Sequence, residues 1–196
     1  MIIWLNGAFG VGKSQTAGEL NRRLNGSLRY EPDNVGLLLR KQLPKSLNLD
    51  NFQDYPEWRQ WNYQLLRKIA LQGQQTVIVP QSLVEPQYFD EVIGRLRHDQ
   101  IDVRHYFLTA DPETIKKRLK LRGDLHNQFT VKRLQTDVSA IDTVKFAQVI
   151  DTSQMTFAEI ADFIAKDCSL RIQPAIKNKY AQAAVQFGDS VKNLWR

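Results

Sequence analysis

The sequence contains a single cysteine, Cys168, so no disulfide can form within the chain. A chain without disulfides suits a reducing compartment. No stretch approaches the roughly 18 consecutive apolar residues that a membrane-spanning helix needs. No basic segment precedes the short apolar run after Met1, as a secretory leader would require. These absences predict a cytoplasmic protein without a leader or a membrane span.

Histidine is also scarce. His98, His105 and His126 are scattered and form no metal-ligand pattern. Basic residues, by contrast, exceed acidic ones and give a formal charge of +6. This charge favours an anionic partner, such as a nucleotide, a nucleic acid or a membrane surface, and a basic surface without a partner is the alternative. The 42% hydrophobic content of the 196 residues suits one good core.

Short apolar runs alternate along the chain with segments of helical spacing. The runs predict strands at residues 2–5, 28–30, 76–80, 103–110 and 147–152. Helices are predicted after Ser14 and at 34–43, 56–73, 88–98, 111–121, 130–141 and 156–167. Such alternation predicts an α/β fold, a three-layer parallel sheet of about five strands, in one domain over residues 1–168.

The stretch GAFGVGKS, at residues 7–14, has the form G-x-x-x-x-G-K-[ST] and lies between a predicted strand and a predicted helix. Glycines let such a loop wrap a phosphate with backbone N–H groups, and the helix N-terminus faces the same anion. Lys13 would reach the β- and γ-phosphates, and the Ser14 hydroxyl would ligate Mg²⁺. The alternative is a glycine-rich turn that binds nothing. The predicted site for the ATP phosphates comprises Gly7, Ala8, Phe9, Gly10, Val11, Gly12, Lys13, Ser14 and Gln15.

A Walker B acid is missing. Pro80 and Gln81 stand where the third strand would carry it, and no guanine-reading motif is found. This argues against a motor-type ATPase and a GTPase. P-loop kinases of small molecules use instead an acid after the second strand, where Glu31 and Asp33 lie. Asp33 is the predicted catalytic base, and a helix cap is its alternative role.

Two arginines four residues apart, Arg118 and Arg122, share a helix face. Such a pair opens the lid of nucleoside-monophosphate-kinase-like proteins, here at about residues 118–135. Arg118 would then stack on adenine and Arg122 would clamp the transferring phosphate, with Lys132 or Arg133 as a second cation. Thr152, after the fifth strand, would lie near the adenine. The alternative for the two arginines is a solvated basic face.

Three segments resemble the tunicamycin resistance protein family: MIIWLNGAFGVGKSQTAGEL, FQDYPEWRQWNYQLL and VIVPQSLVEPQYFDEVIGRLR. The match runs from Met1 to about Ile164. The resemblance implies a cytoplasmic ATP-binding P-loop protein of the nucleoside or nucleotide kinase type, with a small lid. It also implies a link to resistance against a nucleoside antibiotic and a need for Lys13.

The resemblance also points to the segment between strands two and three, where kinases of this fold bind the acceptor. Trp58 and Trp61 are predicted on one helix side with Leu65 below, and aromatic planes can stack on a uracil or a sugar. The alternative is that these aromatics pack the helix on the core. The predicted acceptor pocket comprises Glu31, Asp33, Arg40, Tyr55, Trp58, Arg59, Asn62 and Gln81.

Residues 169–196 are predicted to form a basic amphipathic helix that carries +4 of the net charge over residues 171–196. It would lie on the inner face of an anionic membrane as a peripheral contact, or dock on the domain. Binding of nucleic acid through this tail is a third alternative, but no nucleic acid is expected as a partner.

The favoured function is an ATP- and Mg²⁺-dependent phosphotransferase that acts on a hydroxyl of a small molecule, such as tunicamycin or another nucleoside-like compound. Lys13, Asp33 and Arg122 are its predicted catalytic residues. The alternative is a protein that binds and sequesters the antibiotic in an ATP-dependent manner, without chemistry.

Overall fold

The computed structural model describes residues 1–122 and 148–176, apart from the side chain of Arg122. Five parallel strands form one sheet in the order β2-β3-β1-β4-β5. All five coincide with predicted strands. They are β1 (Ile2–Gly7), β2 (Leu28–Arg29), β3 (Val77–Pro80), β4 (Val103–Thr109) and β5 (Gln148–Asp151).

Helices connect these strands. They are α1 (Lys13–Arg23), α2 (Asp33–Gln42), α3 (Pro56–Gln72), α4 (Pro86–Phe89), α5 (Arg95–His98), α6 (Pro112–Arg122) and α7 (Phe157–Asp167). A π-helical turn at Asp90–Gly94 interrupts the single helix predicted over 88–98, and 3₁₀ turns form at Lys45–Leu47 and Phe52–Asp54. The helix predicted at 130–141 and residues 177–196 of the predicted tail helix lie outside the described residues. Residues 171–176, which were also predicted as helix, are not helical.

The central strand β1 is buried along its whole length. Its side chains alternate between the two faces of the sheet. Ile2 and Trp4 join a core with α2 and α3, and Ile3 and Leu5 join a second core with α1, α6 and α7. The three predicted layers are therefore present. Because every strand runs parallel, the loops that follow them meet at one edge of the sheet, where α/β proteins bind their ligands.

Helix α7 begins with a capping box, in which Thr156 and Glu159 satisfy each other's backbone N–H groups. The buried Arg23 joins α7 to α1, since its Nη1 donates to the Ala158 carbonyl at 3.1 Å. Its Nε donates to the Gln173 carbonyl at 2.7 Å, which fixes the chain beyond α7. The helix that follows the glycine-rich loop is thus held at its far end. Across residues 1–122 and 148–176, no helix has the length and apolarity to traverse a bilayer.

Candidate functional site: a phosphate-binding loop at the carboxyl edge of the sheet

The glycine-rich loop leaves β1 at Gly7 and enters α1 at Lys13. Gly7 and Gly12 have φ values of +125° and +105°, in the region that L side chains rarely adopt. Neither position has room for a side chain. A Cβ on Gly7 would meet the carbonyl oxygen of Leu108, and a Cβ on Gly12 would lie 2.6 Å from the Phe157 ring. The glycines are therefore required by both backbone conformation and packing.

Lys13 folds back over this loop. Its Nζ donates to the carbonyl oxygens of Gly7 at 2.7 Å and Ala8 at 2.8 Å, and lies 5.4 Å from the centroid of the Phe9 ring. The ammonium group is thereby held at the mouth of the loop, next to the first turn of α1. A helix N-terminus with an adjacent lysine is the arrangement that binds a phosphate.

Ser14 follows Lys13 in the first turn of α1 and is partly exposed. A hydroxyl oxygen there is a suitable ligand for Mg²⁺, which prefers oxygen donors and binds nucleotide phosphates at the same time. The first turn of α1 carries no acidic side chain that would repel a phosphate. Within the described ranges, no three His, Cys, Asp or Glu side chains group as a metal site of their own. Ser14 therefore fits a metal shared with a nucleotide.

Arg118 and Thr152 brace the loop from the side of α6 and β5. Arg118 Nη1 donates to the Val11 carbonyl at 3.1 Å and to Thr152 Oγ1 at 3.0 Å, and its Nη2 donates to the Thr152 carbonyl at 2.9 Å. Thr152 Oγ1 lies 2.9 Å from the carbonyl oxygens of both Val11 and Thr109. Burial lowers the pKa of Arg118. Since Thr152 has no exposed surface, its side chain shapes the loop rather than facing a ligand.

A second brace joins the loop to the segment that follows β3. Buried Asn6 accepts from the backbone N–H groups of Gly7 at 2.8 Å and Leu83 at 2.9 Å, and donates to the Leu83 carbonyl at 2.8 Å. Ser82 Oγ donates to the Gly7 carbonyl at 2.6 Å. Both polar backbone groups of Gly7, its N–H and its carbonyl, are therefore hydrogen-bonded.

His105 completes this brace from β4. Its Nε2 lies 3.2 Å from Asn6 Nδ2 and accepts from that amide, since an amide nitrogen only donates. Burial, and to a lesser extent the nearby charge of Arg97, lowers the pKa of His105 to about 3. The ring is therefore neutral at physiological pH. Sequence reasoning assigned no role to His105 or Asn6, although a polar Asn at the end of an apolar strand was a signal.

The acids after β2 lie at the same edge of the sheet as the loop. Asp33 is the first residue of α2 and is exposed, while Pro32 occupies the cap position. Asp33 is therefore not at the cap position, and no side chain forms a capping hydrogen bond at the start of α2. Glu31 is partly buried and forms an ion pair with Arg29.

The predicted acceptor residues divide into buried and accessible ones. Trp58 and Asn62 have no exposed surface: Trp58 Nε1 donates to the Pro32 carbonyl at 3.0 Å, and Asn62 accepts from Tyr30 at 2.7 Å. Tyr55 is also buried and its hydroxyl accepts from the Leu49 N–H at 2.6 Å. These three side chains pack the core. The expected helix face with Trp58, Trp61 and Leu65 together is also corrected, because Trp61 and Leu65 are exposed.

The remaining members of that set hold loops in place. Arg59 is buried, pairs with Glu91 and lies 4.3 Å from the centroid of the Tyr88 ring. Arg40 Nη2 donates to the carbonyls of Leu49 at 2.8 Å and Asp50 at 2.6 Å. Gln81 is buried beside Ser82, and its backbone carbonyl accepts from Trp4 Nε1 at 3.0 Å.

Most of the predicted lid lies outside the described residues. Arg122 ends α6, and its side chain is not among the described groups. Lys132 and Arg133 also lie outside the described residues, as does the predicted lid after residue 122.

A family profile described as an AAA domain matches residues 2–140. The chain belongs to this family. Among curated proteins, no match to the chain was found. Solved structures do match. A tunicamycin resistance protein from Deinococcus radiodurans is 29% identical, with a TM-score of 0.75, over 89% of this chain and 98% of that one. This likeness confirms the resemblance noted in the sequence.

Two kinases share the fold at lower identity. A sugar kinase from a Janibacter species is 17% identical with a TM-score of 0.61, over 86% of this chain and 94% of that one. An APS kinase from Mycobacterium tuberculosis, solved with AMPPNP and APS, is 17% identical with a TM-score of 0.58, over 86% and 96% of the two chains. The AAA-family chain thus has the P-loop NTPase fold of kinase type and is a nucleotide-binding protein by family.

Proposed function

We propose that the protein is an ATP- and Mg²⁺-dependent phosphotransferase that acts on a hydroxyl of a nucleoside-like small molecule, tunicamycin or a related compound. The observation that carries the proposal is the position of Lys13 Nζ at the mouth of the glycine-rich loop. The similarity to the Deinococcus radiodurans protein supports the link to the antibiotic.

In this mechanism the backbone N–H groups of residues 10–15 and Lys13 bind the phosphates. Ser14 would hold Mg²⁺, which neutralises charge on the phosphates when it is bound. The acceptor hydroxyl attacks the γ-phosphorus, the bond from that phosphorus to the β–γ bridging oxygen breaks, and ADP leaves. Asp33 takes the proton of the hydroxyl, because it is an exposed carboxylate at the same edge of the sheet. Arg122, with Lys132 or Arg133, would clamp the transferring group.

Most of the rate in such a reaction comes from positioning and from neutralised charge. The two braces would keep the loop in its binding shape before the nucleotide arrives, so that little reorganisation is needed. Contact of Arg118 with adenine remains a prediction, and its hydrogen bonds to the loop give it a second task. Trp58 and Asn62 are left out of the proposed pocket because they are fully buried.

Mass spectrometry tests the proposal. Tunicamycin and a panel of uridine-containing nucleosides are incubated with the protein, ATP and Mg²⁺. A gain of one phosphate, about 80 mass units, that is lost in Lys13→Ala is the expected result. Asp33→Asn should keep nucleotide binding and lose transfer by about 10²-fold or more. Lys116→Ala, at an exposed position on α6, is the matched control.

The alternative function has its own outcome in this experiment. If no compound gains a phosphate but tunicamycin stays on the protein only when ATP is present, the protein sequesters the drug.

A further inference from the structure

The outer face of α3 is an exposed surface that the proposed function does not use. Trp61, Leu65 and Leu71 are 38%, 43% and 56% exposed. Single exposed apolar side chains are ordinary, but these three share one helix and one of them is a tryptophan. The exposed residues on this outer face of α3 are Glu57, Trp61, Gln64, Leu65, Lys68, Leu71 and Gln72.

A shallow recess lies along the second half of the same face. It has a volume of about 460 Å³ and is lined by Tyr63, Gln64, Arg67, Lys68, Leu71 and Gln72. Trp61 stands one turn before it. The outer face of α3 therefore has a partly exposed aromatic ring towards one end and a recess towards the other.

The same face carries opposite charges towards its two ends. Glu57 lies near the N-terminus of α3 and Lys68 near its C-terminus, and both are exposed. They are about three helical turns apart, so they lie on the same side of the helix. The midpoint between them nearly coincides with the midpoint between Trp61 and Leu65. A half-turn about that midpoint exchanges acid with base.

We propose that the outer face of α3 is the interface between two copies of this chain. The two α3 helices pack antiparallel about a two-fold axis through that midpoint. Glu57 then lies opposite the partner's Lys68, and Trp61 lies at the rim of the partner's recess. In a two-fold interface each contact occurs twice. Because the face is confined to one helix, the interface is small and the dimer depends on protein concentration.

Sedimentation equilibrium of the full chain over a range of concentrations tests the dimer. The mass should rise from one to two copies as concentration rises. Glu57→Lys and Lys68→Glu should each raise the dissociation constant about tenfold, since each replaces two attractive contacts by two repulsive ones. The double variant should restore the original value. Glu113→Lys on α6 and Lys166→Glu on α7, both at exposed sites, are controls and should change nothing.

Zero-length carbodiimide cross-linking of the unmodified chain gives a readout that needs no variant. Within one chain Glu57 and Lys68 are about 16 Å apart along the helix, too far for such a bond. A tryptic peptide that joins these two residues can therefore come only from the dimer. A monomer mass at every concentration overturns the proposal and leaves the face for another partner. A dimer without this cross-link, or one that neither charge change weakens, also overturns it.

Discussion

Replacement of His105 by glutamine should remove most of the loss of stability between pH 6.5 and pH 5, above the range in which carboxylates titrate. In the folded protein burial lowers the pKa of His105 to about 3, against 6.5 for the free side chain. Between these two values the unfolded chain binds a proton that the folded protein does not, so the free energy of unfolding falls as pH falls below 6.5. Above pH 6.5 His105 is neutral in both the folded and the unfolded state, so this loss of stability is absent.

The size of this effect follows from the two pKa values. Each pH unit below 6.5 costs about 1.4 kcal/mol, so the fold loses about 2 kcal/mol at pH 5 and about 5 kcal/mol by pH 3. His105→Gln cannot be protonated there, and its amide can still accept from Asn6. We expect the variant to be less stable than the original at pH 7.5 and to lose far less stability on acidification.

Urea unfolding at a series of pH values between 7.5 and 4 measures this directly. His98→Gln is the matched control, because the His98 side chain is 90% exposed and its replacement should leave the pH profile as it was. If the original protein and His105→Gln lose stability in parallel below pH 6.5, then His105 is not the buried neutral group described above, and the reasoning fails.

Three further substitutions test the loop and its braces. Gly12→Ala should abolish nucleotide binding while the fold survives, since a Cβ would press on the Phe157 ring from a strained backbone; unchanged ATP affinity by calorimetry would contradict this. Thr152→Val should lower the free energy of unfolding by about 1–3 kcal/mol, because the partly buried Arg118 loses an acceptor; equal urea midpoints would refute the role of the hydroxyl. Ser82→Ala should weaken ATP binding about tenfold in fluorescence titration by loosening the loop, whereas an exposed-site change such as Ser46→Ala should not.

The strands and the glycine-rich loop could be read from the sequence because their signals are local. Buried parallel strands appear as continuous apolar runs, and residues 2–5 of β1 and Val77–Pro80 are of this kind. The loop motif fixes residue types and spacing within a few positions. The π-helical turn at Asp90–Gly94 had no such signal, because an inserted residue in a helix is decided by packing.

The residues of the acceptor pocket could not be predicted in the same way. Trp58 and Trp61 are three residues apart, and the spacing alone placed them on one helix side. In the structure Trp58 lies in the core, where the Pro32 carbonyl accepts from its indole, and Trp61 is partly exposed to solvent. Which part of an aromatic-rich helix is buried depends on contacts from distant segments, which a single sequence does not show.

Isothermal titration of ATP with Mg²⁺ into the original protein and into Lys13→Ala tests the central claim most directly. The account predicts one bound nucleotide and a loss of about 10- to 100-fold in affinity when the ammonium group is removed, the cost of a hydrogen bond to a charged group. Lys116→Ala should bind as the original does. Equal affinities for the original protein and Lys13→Ala, or no binding to either, would contradict the claim that this loop holds the phosphates of a nucleotide.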